Sequence, residues 1–193
     1  MWEQNALDFE KNWYIMCFSA KKGNKHITKA LPDYPNYIAG SENDYELVKE
    51  IKNLLNEAEL VCWQNGDQFD GKKINTRLIY WGLGPPSPYK TIDTKKIAKR
   101  YFAFNSNSLD NLGEFLKIGR KVKHEGYELW QKCMQGDLKA WKRMKHYNKQ
   151  DTLLLEKLYL KLRPFIKDHW PVIRDKVACP KCASENIQRR QNT

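Results

Sequence analysis

The chain has 193 residues, 41% hydrophobic and 30% charged, a balance that fits one folded domain with a small appendage and argues against a disordered polyelectrolyte. No apolar run reaches the ~18 to 20 residues needed to span a bilayer, and no signal peptide opens the chain, so no membrane partner is expected. Thirty-four Lys and Arg against 23 Asp and Glu leave a net charge of +11; a basic surface of this size favours polyanions, nucleic acid foremost, over the bland alternative of a lysine-rich soluble protein.

In chain order, MWEQNALDFEKN is mostly polar and carries a D-x-E pair, Asp8 and Glu10, behind Ala6 and Leu7. WYIMCFSA (13 to 20) reads as a strand by its aromatic and apolar content, KKGNK as a turn, and HITKAL as the hairpin partner. From Asn43, the spacing of Leu47, Val48, Ile51, Leu54, Leu55 and Ala58 predicts one helical face, with Asn43 and Glu46 as a capping box. ELVCW (59 to 63) is a short buried strand, and a helix from about Gly71 to Trp81 is closed by Gly82, Gly84, Pro85 and Pro86. YKTID is another strand, TKKIAKRYF a helix, and SLDNLGEFLKIG a further helix with Ser108 as N-cap and Gly119 past its end. Beyond the basic loop KVKHEG, a long helix runs from about Leu138 to Leu162 and stops at Pro164. Strands first, then strands alternating with helices, predict an α/β domain over residues 1–168, a mixed β-sheet flanked by helices. Residues 169–193 form a tail of different character. Cys17, Cys62 and Cys133 are scattered and give no disulfide framework, which favours a reducing, cytoplasmic setting.

Two stretches carry the candidate chemistry. NGDQFD (65 to 70) follows a strand and opens a helix, and ligands of open α/β sheets collect at the carboxyl ends of strands; alternatively, Asp70 is only a helix cap. In YNKQD, Tyr147 and Asp151 are four residues apart and lie on one helical face. Asp151 falls three and four residues before Leu154 and Leu155, at the edge of the apolar stripe. A carboxylate there is costly unless it is paired, hydrogen-bonded or metal-bound.

Together, N-x-x-x-x-D after a strand and Y-x-x-x-D on the last long helix resemble the DEDD exonucleases of the ribonuclease-H-like superfamily, the tyrosine pointing to the DEDDy branch. The likeness runs from WYIMCFSAKK through NGDQFDGKKINTR, GLGPPSPYKTIDT and FNSNSLDNLGEFL to MKHYNKQDTLLLEKLYLKLRP, about residues 13 to 167, and is similar to a group of phage and bacterial predicted 3′–5′ exonucleases. It implies a bacterial or phage-infected cell and phosphodiester hydrolysis with two divalent cations, Mg²⁺ or Mn²⁺, roughly 4 Å apart. It makes Asp70 and Asp151 metal ligands, Tyr147 the residue that orients the attacking water, and Asn65 a support for the site or for the terminal nucleotide. Lys72, Lys73 and Arg77 are candidate phosphate contacts or a solvated basic face. Single-stranded DNA is the expected substrate.

The family pattern also needs a D-x-E on the first strand. Asp8 and Glu10 form a D-x-E near the start of the chain, but MWEQN is too polar for a strand buried on both faces, and only Lys11 and Asn12 separate Glu10 from the next strand. The alternative expectation places that motif upstream of this chain, which leaves a catalytically incomplete nucleic-acid-binding module. In the tail, Cys179 and Cys182 form a C-P-K-C knuckle, half of a zinc ribbon, which needs four ligands to hold zinc; two free thiols are the simpler reading.

Overall fold

The computed structural model describes residues 12–123 and 125–166. Chain order gives β1 (Cys17–Lys22), β2 (Lys25–Ala30), α1 (Tyr45–Asn56), β3 (Leu60–Trp63), α2 (Asp70–Tyr80), β4 (Lys90–Asp93), α3 (Thr94–Tyr101), α4 (Leu109–Phe115), α5 (Tyr127–Met134) and α6 (Leu138–Leu162). The hairpin turns at Gly23, whose φ of 56° suits a residue without a Cβ, and sets β1 antiparallel to β2 with Cys17 opposite Ala30 and Lys22 opposite Lys25. β3 and β4 are parallel, Leu60 beside Lys90 and Trp63 beside Asp93, with α2 between them in the chain as a crossover requires.

The expected mixed sheet therefore appears, among the described residues, as two separate two-stranded sheets, one antiparallel and one parallel. A broad open cleft lies between them. Consecutive residues of β1 and of β3 line it, so it is strand edges rather than one sheet face that border the opening. Strand edges of this kind leave every second backbone group without a ladder partner.

The 25-residue helix α6 ties the two parts together. Its first half buries Ala140, Trp141 and Met144 with Leu47, Ile51 and Leu55 of α1 and Leu129 and Cys133 of α5. Its second half buries Leu154, Leu158 and Leu162 with Ala98 of α3 and Leu109 and Leu112 of α4. Steps of three and four residues (144, 147, 151, 154, 158) keep one stripe on the inner face. Tyr147 and Asp151 interrupt that stripe between its two apolar halves. The α4 helix is shorter than its sequence suggests: Lys117 takes a left-handed φ of 55° and ends it before Gly119.

Three local expectations change. Helix α1 starts at Tyr45, where the Asn43 carboxamide accepts from the Tyr45 amide at 3.1 Å, and no capping box with Glu46 forms because Asp44 holds the N-cap position. Helix α5 has no counterpart in the sequence reading, although Leu129 and Cys133, four residues apart, are both buried. Arg77, expected as a phosphate contact or part of a solvated basic face, is 5% exposed, and its guanidinium donates to Asp44 from Nε and Nη2 at 2.6 to 3.1 Å.

Candidate active site

Asp70 opens α2 beyond the carboxyl end of β3, and the intervening loop is built so tightly that its glycine is required. A Cβ on Gly66 would fall 2.1 Å from the Trp63 ring, well inside van der Waals contact. Asn65 takes a left-handed φ of 61°, and its carbonyl accepts from the amides of Gln68 and Phe69 at 3.3 and 3.0 Å. Asp93, 5% exposed at the end of β4, anchors this corner. Its carboxylate accepts from the backbone amides of Asn65 (2.9 Å), Asp67 (3.3 Å), Lys95 (2.9 Å) and Lys96 (3.4 Å), capping α3 and fixing the NGDQFD loop with one side chain.

The Asp70 carboxyl is open to the cleft but hemmed in by protein. Burial raises its pKa, its own backbone bond opposes that, the Asp93 charge raises it further, and Lys73 lowers it. Lys73 is itself shifted down by desolvation, with Asp70 opposing; its ammonium lies 4.0 Å from the Trp13 ring centroid and 5.0 Å from that of Phe69. Lys72 is exposed and donates to Gln68 Oε1 at 2.9 Å. Asp67 takes no part in the cleft chemistry: it accepts from Trp63 Nε1 at 2.7 Å and from Lys96 Nζ at 2.6 Å.

The second corner is on α6. Lys121 Nζ donates to Tyr147 Oη at 2.9 Å and pairs with Asp151 Oδ2 at 2.8 Å. Among the described residues, the other carboxylate oxygen, Asp151 Oδ1, is buried and has no hydrogen-bond partner. Burial pushes the Tyr147 phenol upward; Lys121 pulls it down and Asp151 raises it again, so the net shift is up. Burial would lower the Lys121 ammonium, but its bonds to Asp151 and Tyr147 outweigh that and raise it. In the same cleft, Asn107 Oδ1 is also buried without a partner among the described residues, while the Asn107 carbonyl accepts from Gln64 Nε2 at 2.8 Å.

Asn65, Asp70, Lys72, Lys73, Tyr147 and Asp151 all line the one cleft. Asp8, Glu10, Cys179 and Cys182 lie outside the described residues. Among the described residues, no three His, Cys, Asp or Glu side chains gather closely enough to hold a metal ion, and no helix is long and apolar enough to cross a membrane. Sequence reasoning missed Asp93 and Lys121. An Asp directly before the helix TKKIAKRYF is a cap signal, so Asp93 was legible; Lys121, in an aperiodic basic loop 26 residues from Tyr147, was not.

Donor chemistry supplies the test of a bound cation. Asp151 presents a buried oxygen that nothing satisfies, and a carboxylate oxygen suits a hard divalent cation. The residues present fit such an ion in kind.

Parallel and antiparallel strand pairs flanked by helices, with separated carboxylates facing one cleft, define an α/β protein whose candidate site is made of acids, a tyrosine and lysines. The chain belongs to the RNase H superfamily, whose family model matches residues 3–163, and that membership supports a nuclease acting on nucleic acid. No curated protein matches the chain.

Proposed function

We propose that the chain is a 3′–5′ exonuclease domain of the DEDDy type, hydrolysing phosphodiester bonds of nucleic acid, single-stranded DNA foremost. The observation that carries this reading is the pairing of Tyr147 with Asp151 on the inner stripe of α6, above a cleft that also receives Asp70, with Asp151 Oδ1 buried and unsatisfied. An apolar helix stripe has no structural need of that pair, and a buried orphan oxygen costs about 1–3 kcal/mol.

Asp70 and Asp151 would hold divalent cations, Mg²⁺ or Mn²⁺, together with Asp8 and Glu10 if these supply the first motif. The cations would activate water and stabilise the leaving 3′ oxygen. Within the chain, Tyr147 keeps its proton because its pKa is raised, so its hydroxyl can donate to, or orient, a water at the scissile phosphate. Lys72 and Lys73, one turn into α2 beside Asp70, supply positive charge where the phosphate backbone would pass. Asn65, fixed through its backbone to Asp93, positions the same corner.

A second reading, a nucleic-acid-binding module of the same fold without catalysis, is favoured by one observation: the described residues do not assemble three metal-ligating side chains. One experiment separates the two. Oligonucleotides labelled at the 3′ or the 5′ end are incubated with the chain and Mg²⁺ or Mn²⁺, beside Asp151→Ala. Laddering from the 3′ end that disappears in the variant is the expected outcome. Salt-sensitive binding without cleavage in either protein would establish the module instead.

A further inference from the structure

The Asp151 corner already contains a cation. Lys121 Nζ stands 2.8 Å from Asp151 Oδ2 and 2.9 Å from Tyr147 Oη, and its ammonium lies 5.1 Å from the Tyr147 ring centroid. Asp151 thus has one oxygen covered by lysine and the other buried beyond the reach of water. In this state Lys121 occupies the Oδ2 side of Asp151, whose side chain is 20% exposed.

The lysine is held differently at its two ends. Its backbone is clamped: the Lys121 amide donates to Asp110 Oδ1 at 2.8 Å, and the neighbouring Arg120 donates to Asp110 Oδ2 at 2.8 Å and to Glu114 Oε1 at 2.9 Å. Its side chain is a flexible four-carbon stem, half-buried, ending in a point charge with three rotatable donors. The stem can swing while the loop stays put.

We propose that Lys121 is the resident cation of the Asp151 seat, exchanged for a divalent ion when the site loads. It rests on the metal-dependent reading above and adds to it a residue that blocks the seat until it is displaced. The ammonium satisfies Asp151 Oδ2 and Tyr147 Oη but leaves Oδ1 unpartnered, so the closed form is an incomplete match. A divalent cation would carry twice the charge of the ammonium and so compete with it for Asp151, with Lys121 released toward the cleft. Lys121 is a positioning residue in this scheme: it acts through Asp151 and Tyr147.

The test reads metal binding without catalysis. Free Mn²⁺ is titrated against the full chain at low ionic strength and followed by its electron paramagnetic resonance signal, for the wild type, Lys121→Met, Lys121→Arg and Asp151→Asn. Removing the competing ammonium is expected to tighten Mn²⁺ binding at least threefold in Lys121→Met. Lys121→Arg keeps the charge and stays near or weaker than the wild type, and Asp151→Asn loses the same binding event. Binding of Mn²⁺ to Lys121→Met that is unchanged or weaker, or no Mn²⁺ binding by either protein at millimolar concentration, overturns the proposal. A lysine with a merely structural role would weaken binding through misplacement of Asp151. Should Lys121→Met not fold by circular dichroism, Lys121→Gln carries the same expectation. If the chain cleaves no oligonucleotide, the exonuclease reading falls, while the Mn²⁺ comparison still judges Lys121.

Discussion

Two acid–base pairs in this molecule use the same kinds of group to opposite ends. Asp44 is 1% exposed and fully satisfied: it accepts from Arg77 Nε and Nη2, from Trp81 Nε1 at 2.7 Å and from the Ile15 amide at 2.8 Å. Arg77 reaches on to the carbonyls of Trp13 and Glu42 at 3.4 Å and lies over the Tyr80 ring at 4.3 Å. That pair staples the chain entering β1 to the start of α1 and the end of α2. Asp151 and Lys121 also form a pair, yet one oxygen of the acid has no partner. Completeness separates the two. A buried charge whose every lone pair and proton is used has no need of a further partner, whereas the unfinished Asp151 is the acid proposed above to receive one.

The comparison can be broken first at its structural half. Asp44→Asn or Arg77→Met leaves the surviving partner buried with an uncompensated charge or donors, and should cost about 3–5 kcal/mol in urea unfolding. The double variant Asp44→Leu with Arg77→Met should recover a large part of that loss, since no buried charge remains. Losses of less than about 1 kcal/mol for either single variant would show that completeness of bonding does not distinguish this pair.

A smaller effect on stability is expected at the Asp151–Lys121 half. Asp151 and Lys121 side chains are 20% and 34% exposed, and partly solvated ion pairs contribute about 0–1 kcal/mol. Asp151→Asn should therefore shift the urea midpoint little, while metal-dependent cleavage of a labelled oligonucleotide falls below detection. A variant that unfolds as readily as Asp44→Asn would make Asp151 a second structural acid.

What the sequence revealed follows from the range of the interactions. The hairpin, the start of α2 close to NGDQFD and the placement of YNKQD on α6 depend on turn chemistry and on apolar spacing within a few residues, and a single chain displays both. The bond of Arg77 to Asp44, 33 residues away, leaves no local trace; on the helix after NGDQFD it stands in line with Lys72 and Lys73 and reads as a third phosphate contact. Lys121 sits in a basic loop without periodicity, and only folding brings it to Tyr147 and Asp151. Tight local rules gave most of the elements and two corners of the candidate site, but not α5, and long-range pairing decided which charges are bonded within the fold.

Asp70 gives the gentlest test, because among the described residues no basic side chain is bonded to it. Burial and the Asp93 charge raise its folded pKa above the ordinary value of ~3.9, with its backbone bond and Lys73 only partly offsetting them. Between the ordinary value and the raised one, the folded chain holds more protons than the unfolded chain. Stability must then fall as pH rises through that window, and the loss is complete above the folded pKa. Asp70→Asn removes this slope, so melting curves recorded in chelator across the acid range should show the variant gaining on the wild type as pH increases. Adding Mg²⁺ or Mn²⁺ should reverse the difference, because a cation at Asp70 favours the ionised carboxylate and binds only the folded wild type there. Parallel curves with and without metal would mean that Asp70, like Asp44, is already satisfied, and the contrast between finished and unfinished acids would then rest on Asp151 alone.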